Sequence, residues 1–150
     1  MTQPTPRMAL ATFSPDGYKA VFALERHVRS KIDDDLLHLV KLRASILNGC
    51  AFCVDMHSTD AVASGEDPRR LFAVAAWRES PFFTDAERAA LALTDEVTRL
   101  DEHGVGDETW DQALRHFGEA MTGELLLAIA TINVWNRIAV TTKAAPPVLA

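Results

Sequence analysis

The stretch NGCAFCVDMH, residues 48–57, contains both cysteines of the chain and one of its five histidines. Asn48-Gly49 predicts the end of a helix, because glycine is costly inside a helix and common just after it. The sequence that follows predicts a new helix over about residues 50–63, closed by Gly65. The stretch therefore predicts two helices joined by a tight turn, with both cysteines near the start of the second helix.

Helical periodicity continues on both sides of this stretch, and no window shows the sustained alternation of a β-strand. We therefore predict a single all-α domain over residues 1–150, a bundle of about six to seven helices without a sheet. A leader of about residues 1–13 and a tail of residues 144–150 are predicted to be loosely ordered. Caps or apolar periodicity predict six other helices. Two of them cover residues 15–30 and 122–140, the latter with the sequence TGELLLAIATINVWNRIAV. The other four begin at the acidic cluster Asp33 to Asp35, at Asp67-Pro68, at the capping box of Thr84 and Glu87, and at Asp107.

The composition of the chain limits its partners. Its formal net charge is -6 and its 15 lysines and arginines are scattered, so no nucleic-acid or anionic membrane surface is predicted. No N-terminal run resembles a signal peptide, and we find no stretch apolar for the roughly 18 residues that cross a bilayer. We therefore expect a cytoplasmic protein. In a reducing cytosol a Cys-x-x-Cys pair is more often catalytic or metal-binding than structural.

Cys50, Cys53 and His57 are spaced three and four residues apart, so on one helix they form a single stripe. Side chains three apart lie roughly 5–6 Å from each other at Cβ, near enough for a disulfide to close. The first turn of a helix stabilises a thiolate, and His57 can accept the proton of a thiol. The helix end favours Cys50 as the more acidic thiol, whereas the neighbouring base favours Cys53. The pattern predicts a reversible dithiol and leaves that assignment open.

Three segments resemble the carboxymuconolactone decarboxylase superfamily, in its alkylhydroperoxidase AhpD-like branch: LVKLRASILNGCAFCVDMHSTDA (39–61), WRESPFFTDAERAALALTDEV (77–97) and NVWNRIAV (133–140). The resemblance implies a helical homo-oligomer, a trimer or hexamer, that reduces hydroperoxides. It implies that Cys53 attacks the peroxide, that Cys50 resolves the sulfenic acid as a disulfide, and that His57 relays protons. It also implies re-reduction by a lipoyl-bearing or other dithiol partner. We predict no cofactor and no metal.

Position 38 departs from the pattern of that branch, which has a glutamate twelve residues before the first cysteine. Here the residue is His38. Twelve residues of straight helix span about 18 Å, so His38 can reach the thiols only if the chain turns back at Asn48-Gly49. A neutral histidine could still pass protons, but it could not supply the negative charge of a carboxylate. We include His38 among the predicted site residues. The alternative is that His38 has no role in the site and is simply tolerated between its apolar neighbours.

Two other classes of function compete with a thiol peroxidase. Cys50, Cys53, His57 and His38 could bind zinc together, although this spacing is unusual for zinc and no second Cys/His cluster supports it. The protein could also be an oligomeric small-molecule binder, or a thiol-disulfide exchange protein, with weak or no peroxidase activity. Trp135, on the apolar last helix, is expected to pack in the core. The alternative is that it lines a pocket.

Overall fold

The computed structural model describes residues 5–147, and over these residues the chain forms helices and no strand. This confirms the predicted all-α class. Part of the predicted leader is helical, and the backbone N–H of Arg7 donates to the carbonyl of Thr142 (2.7 Å). The predictions for residues 1–4 and 148–150 lie outside the described part of the chain. The elements are α1 (Leu10–Phe13), α2 (Pro15–Arg29), α3 (Asp34–Leu47), α4 (Ala51–Ala63), α5 (Pro68–Ala73), a 3₁₀ turn (Val74–Ala76), α6 (Asp85–Thr98) and α7 (Asp107–Thr142).

The helix starts at Asp67 and Thr84 carry the caps that the sequence predicts, and Asp33, at the predicted acidic start of α3, is a cap as well. The side chains of Asp33 and Asp67 each accept a hydrogen bond from the backbone N–H two residues further on, at 3.1 and 2.8 Å. Thr84 and Glu87 form a reciprocal capping box at the start of α6. Each of these bonds satisfies a backbone N–H that has no partner inside its own helix.

Helix α3 is the centre of the bundle, and it packs against α4, α6 and α7. Residues 37–45 of this helix are all buried. Charged side chains on a buried helix need partners inside the protein. Arg43 pairs with Asp95 of α6, and Lys41 pairs with Glu25 of α2.

Element α7 contains the two helices predicted after residue 107, which meet in a kink at Gly118, whose φ of 69° and ψ of 171° are not helical. It differs from the sequence prediction in one respect. By length and composition alone α7 could cross a membrane, so the expectation that no stretch is sufficiently apolar is wrong. A helix packed into the core of a protein can have the same composition, and α7 packs against α2, α3, α4 and α6.

The turn between α3 and α4 lies at Asn48-Gly49, where the sequence predicts the end of a helix, and it reverses the chain. Gly49 has a positive φ of 65°, a conformation that side chains other than glycine rarely adopt. The Asn48 side chain donates hydrogen bonds to Asn133 (3.0 Å) and Asn136 (2.9 Å) of α7, and the Cys50 N–H donates to the Ser45 carbonyl (3.0 Å). These bonds fix the first residue of the Cys-x-x-Cys pair against α7.

Candidate active site

Cys50 and Cys53 are joined by a disulfide at the start of α4, with their Cα atoms 5.3 Å apart. Cys50 is the N-cap of the helix, and its sulfur accepts a hydrogen bond from the backbone N–H of Cys53 (3.3 Å). The N-terminal turn therefore presents a backbone donor to sulfur, as the helix-end argument expects. Both residues are buried, with Cys53 only 2% exposed.

His57 lies one turn after Cys53 on α4 and is 2% exposed. Neither of its ring nitrogens has a hydrogen-bond partner among the residues that the structure describes. Burial and, to a smaller extent, the positive charge of Lys41 together lower the pKa of His57 to about 3. The ring is therefore neutral at neutral pH, with one N–H donor and one acceptor nitrogen.

A cavity of about 570 Å³ opens beside the disulfide. Cys53 and His57 are among the residues that line it, whereas Cys50 is not. Three aromatic rings form one apolar wall: Tyr18, Phe22 and Trp135 contact each other with centroids 5.1 to 5.3 Å apart. An apolar cavity with a few converging polar groups is the usual form of a small-molecule site. The remaining lining residues are Ala9, Leu10, Ala11, Glu25, Arg26, Arg29, Phe52, Met56, Ile138, Ala139, Thr142 and Ala144.

Sequence reasoning missed a buried ion pair beside this cavity. Glu25 of α2 is 8% exposed and accepts hydrogen bonds on Oε1 from Lys41 Nζ and from Arg29 Nε, the latter at 2.7 Å. Its other oxygen, Oε2, is buried and has no partner among the described residues. Burial alone would raise the pKa of Glu25, but the hydrogen bonds and charges of Lys41 and Arg29 outweigh it and lower the pKa. The carboxylate is therefore ionised at neutral pH.

The sequence contained a signal for this pair. Lys41 lies four residues from both Leu37 and Ser45, so it falls on a face of α3 that is otherwise buried, and a cation there needs an internal partner. What the sequence did not contain is the identity of that partner, because α2 and α3 meet only in the folded bundle. Lys41 is 1% exposed.

His38 lies beside this site but does not line the cavity. Burial lowers its pKa, while the negative charges of Asp34 and Asp60 act in the opposite direction. Its own charge, when present, lowers the pKa of His57. The reversal at Asn48-Gly49 therefore brings His38 close enough to act on His57 electrostatically.

The zinc alternative is not favoured by this geometry. Among residues 5–147, no three His, Cys, Asp or Glu side chains are grouped so that they could hold a metal ion. The two sulfurs, which would be the principal ligands, are instead bonded to each other.

Comparison with known proteins agrees with the geometry. Residues 15–96 match the carboxymuconolactone decarboxylase family. The uncharacterised protein YdfG of Bacillus subtilis (strain 168) is 36% identical over 135 residues, which cover 89% of this chain and 92% of YdfG. The structure of a protein of unknown function from Agrobacterium tumefaciens, suggested to be the antioxidant defence protein AhpD, superposes with a TM-score of 0.93 and 42% identity over 97% of this chain and all of the other. The debrominase Bmp8 shares the fold, with a TM-score of 0.79 and 23% identity over 91% of this chain and 74% of Bmp8.

Proposed function

The chain belongs to the carboxymuconolactone decarboxylase family, in its AhpD-like branch, and we propose that it reduces hydroperoxides with the Cys50 and Cys53 pair. One observation carries the proposal: Cys50 and Cys53 form a disulfide at a helix N-terminus, and Cys53, the member of the pair that lines an apolar cavity, has a neutral imidazole one turn away. The family includes enzymes, and this arrangement supplies a nucleophile, a resolving thiol and a proton relay.

The proposed reaction starts from the reduced pair. The sulfur of Cys53 attacks the terminal oxygen of the hydroperoxide, and the O–O bond breaks. The thiol proton of Cys53 passes to the acceptor nitrogen of His57, while the N–H of the same ring gives its proton to the departing alkoxide. A neutral imidazole suits this concerted transfer, because it carries one acceptor nitrogen and one N–H donor. The products of the step are an alcohol and the sulfenic acid of Cys53.

The second step closes the disulfide. The thiol of Cys50 attacks the sulfenic sulfur of Cys53, and water leaves with the thiol proton and the hydroxyl. An external dithiol, which we propose to be of the lipoyl type, then reduces the disulfide through a mixed disulfide. The net reaction converts a hydroperoxide and a dithiol into an alcohol, water and a disulfide. Because the pair must be reduced again after each turnover, a cytoplasmic location is part of this proposal.

We assign the attack to Cys53 because it lines the cavity and Cys50 does not. The hydrogen bond that the Cys50 sulfur accepts from the helix N-terminus suits a thiolate that leaves when an external thiol attacks Cys53. This division of roles agrees with the roles that the family resemblance implies.

The test begins with the fully reduced protein, freed of excess reductant. Free thiols are counted with a chromogenic reagent after one equivalent of hydrogen peroxide or tert-butyl hydroperoxide. We expect the wild type to lose two thiols per chain, Cys53→Ser to lose none, and Cys50→Ser to stop at a sulfenic acid that dimedone traps. Persistence of both wild-type thiols would leave a small-molecule binder as the better hypothesis.

We also propose that the protein is a homo-oligomer, a trimer or hexamer. Helix α7 leaves Leu126, Leu127, Val134 and Val140 exposed. At 100° per residue these four positions fall within one face of the helix. Several exposed apolar side chains on one side of a helix that otherwise packs against the core are typical of a subunit interface.

A further inference from the structure

We propose that Glu25 of α2 is the carboxylate of this active site, and that its Oε2 atom accepts the O–H hydrogen bond of the hydroperoxide while His57 contacts the inner oxygen. The inference rests on the proposed peroxidase function. It adds a substrate-binding residue that lies outside the Cys-x-x-Cys motif and on a different helix.

The first support is the distribution of unpaired polar atoms. Among the described residues, four buried side-chain nitrogen or oxygen atoms have no hydrogen-bond partner, and three of them are Glu25 Oε2 and the two ring nitrogens of His57. Buried polar atoms are nearly always paired, so unpaired ones that recur in one place point to a ligand. Glu25 and His57 both line the cavity that Cys53 lines, and its wall is otherwise largely apolar.

The second support is the match between these atoms and the chemistry of a hydroperoxide. An ionised carboxylate oxygen only accepts hydrogen bonds, and a neutral imidazole donates one. The group R–O–O–H donates through its terminal O–H and accepts through its inner oxygen. Glu25 and His57 therefore offer one acceptor and one donor to a group that needs one of each. The apolar wall formed by Tyr18, Phe22 and Trp135 suits the R group.

The third support is the way in which Glu25 is held. Its Oε1 atom accepts from both Lys41 and Arg29, which restricts rotation of the carboxylate and leaves Oε2 without a partner among the described residues. Lys41 belongs to the buried core of α3, which makes it a rigid anchor. The two cations also keep Glu25 ionised and thus restricted to accepting.

The role is one of binding and orientation, and no proton is consumed. The hydrogen of the terminal O–H stays on that oxygen and becomes the hydrogen of the Cys53 sulfenic acid. The leaving alkoxide takes its proton from His57, and His57 accepts the proton of the Cys53 thiol in its place. Glu25 therefore supplies from α2 a carboxylate that the sequence pattern of this branch would place at position 38, where this chain has His38.

The test uses Glu25→Gln in the full-length reduced protein. Glutamine retains an oxygen for Lys41 and Arg29, and it replaces Oε2 with an NH₂ group that donates instead of accepting. Two second-order rates are measured at the same pH: oxidation by cumene hydroperoxide and alkylation by iodoacetamide, which does not carry an O–H group. We expect oxidation to slow by about tenfold to a hundredfold, the effect of removing one hydrogen bond to a charged group, and alkylation to be unchanged or faster.

The matched control is Glu124→Gln, which removes a carboxylate from the ion pair between α7 and His27 of α2, away from the cavity. Both rates should stay at the wild-type value. Equal slowing of oxidation and alkylation in Glu25→Gln would mean that Glu25 only maintains the structure, and an unchanged oxidation rate would remove it from the site. Either result overturns the inference. A wild type that is alkylated but not oxidised by peroxide defeats the proposed function itself, and the inference with it.

If Glu25→Gln does not fold, Glu25→Asp takes its place. Aspartate keeps the negative charge for Lys41 and Arg29 but is one methylene shorter, which withdraws the free oxygen from the cavity. We again expect a slower oxidation with alkylation retained, and full oxidation activity would overturn the inference.

Discussion

Lys41 of α3 donates a hydrogen bond to Glu25 of α2 from a position that is 1% exposed. The pair joins the central helix of the bundle to the helix that forms one wall of the cavity. A buried ion pair seldom adds net stability, because taking both charges out of water costs about as much as their attraction returns. Its location beside Cys53 and His57 therefore suggests that it serves the site.

Lys41→Met should be strongly destabilising although methionine fills a similar volume. The substitution leaves Glu25 buried with Arg29 as its remaining cation, and breaking a buried pair costs about 3 kcal/mol or more. Urea denaturation at neutral pH measures the change. Lys31→Met, at an exposed position of the turn between α2 and α3, is the control and should change the free energy of unfolding by less than about 0.5 kcal/mol. Equal effects of the two substitutions would show that the buried pair is energetically unimportant.

The free energy of unfolding should fall as the pH drops below about 6.5, and His57 should account for part of the fall. Its pKa is about 3 in the folded protein and about 6.5 in the unfolded chain, so between these values only the unfolded state takes up the proton. Between these two pKa values, each unit by which the pH falls lowers the contribution of His57 to the free energy of unfolding by up to about 1.4 kcal/mol. His57→Gln should flatten the dependence between pH 6.5 and 5, as measured by denaturation of the oxidised protein.

The exposed His103 supplies the control for that experiment. His103→Gln should leave the wild-type pH dependence intact. If the wild type and His57→Gln lose stability in parallel between pH 6.5 and 5, the folded protein accepts a proton on His57 and the neutral relay proposed here is wrong.

The aromatic wall should control selectivity for the size of the peroxide. Trp135→Leu removes ring contacts with Tyr18 and Phe22 and opens the cavity. We expect the KM for cumene hydroperoxide to rise by about fivefold to tenfold, since an aromatic contact contributes roughly 1 kcal/mol. The kcat/KM for hydrogen peroxide, which has no apolar group, should be retained. Equal losses for both peroxides would indicate damage to the thiol site and not to a binding wall.

The fold could be predicted from the sequence because its signals are local. Asn48-Gly49 and the capping box of Thr84 and Glu87 specify where helices stop and start within a few residues of sequence. Gly118 likewise separates the two helices predicted after residue 107, because its φ of 69° and ψ of 171° are not helical. Local signals of this kind therefore predict the number and type of the helices.

The candidate site could be predicted only in part. The cysteine pair and His57 lie on one helix, so their spacing alone brings them together. The contribution of α2 could not be found in this way, because Glu25 meets Lys41 across 16 positions of sequence and through packing of two helices. Trp135 lines the cavity because α7 packs beside α2. This is the second of the two positions expected for Trp135 from the sequence.

The apolar face of α7 should be required for assembly. Leu127 and Val134 are seven residues apart on this face, and both are exposed. The double substitution Leu127→Glu and Val134→Glu places two charges there without altering the buried side of the helix. Light scattering coupled to size exclusion should show a trimer or hexamer for the wild type and a smaller species for the variant. A wild type that elutes as a monomer contradicts the proposal.

Replacing His38 by glutamate should increase the rate of oxidation by peroxide. The positive charge that His38 can carry lowers the pKa of His57, whereas a carboxylate at the same position would raise it. His57 would then be a better acceptor for the thiol proton of Cys53, and we expect the second-order rate measured by stopped flow to rise about threefold to tenfold. His38→Gln, which removes the charge without reversing it, should produce a much smaller change. A rate for His38→Glu that is equal to or below that of the wild type would show that position 38 takes no part in the proton relay, and would leave Glu25 as the carboxylate of the site.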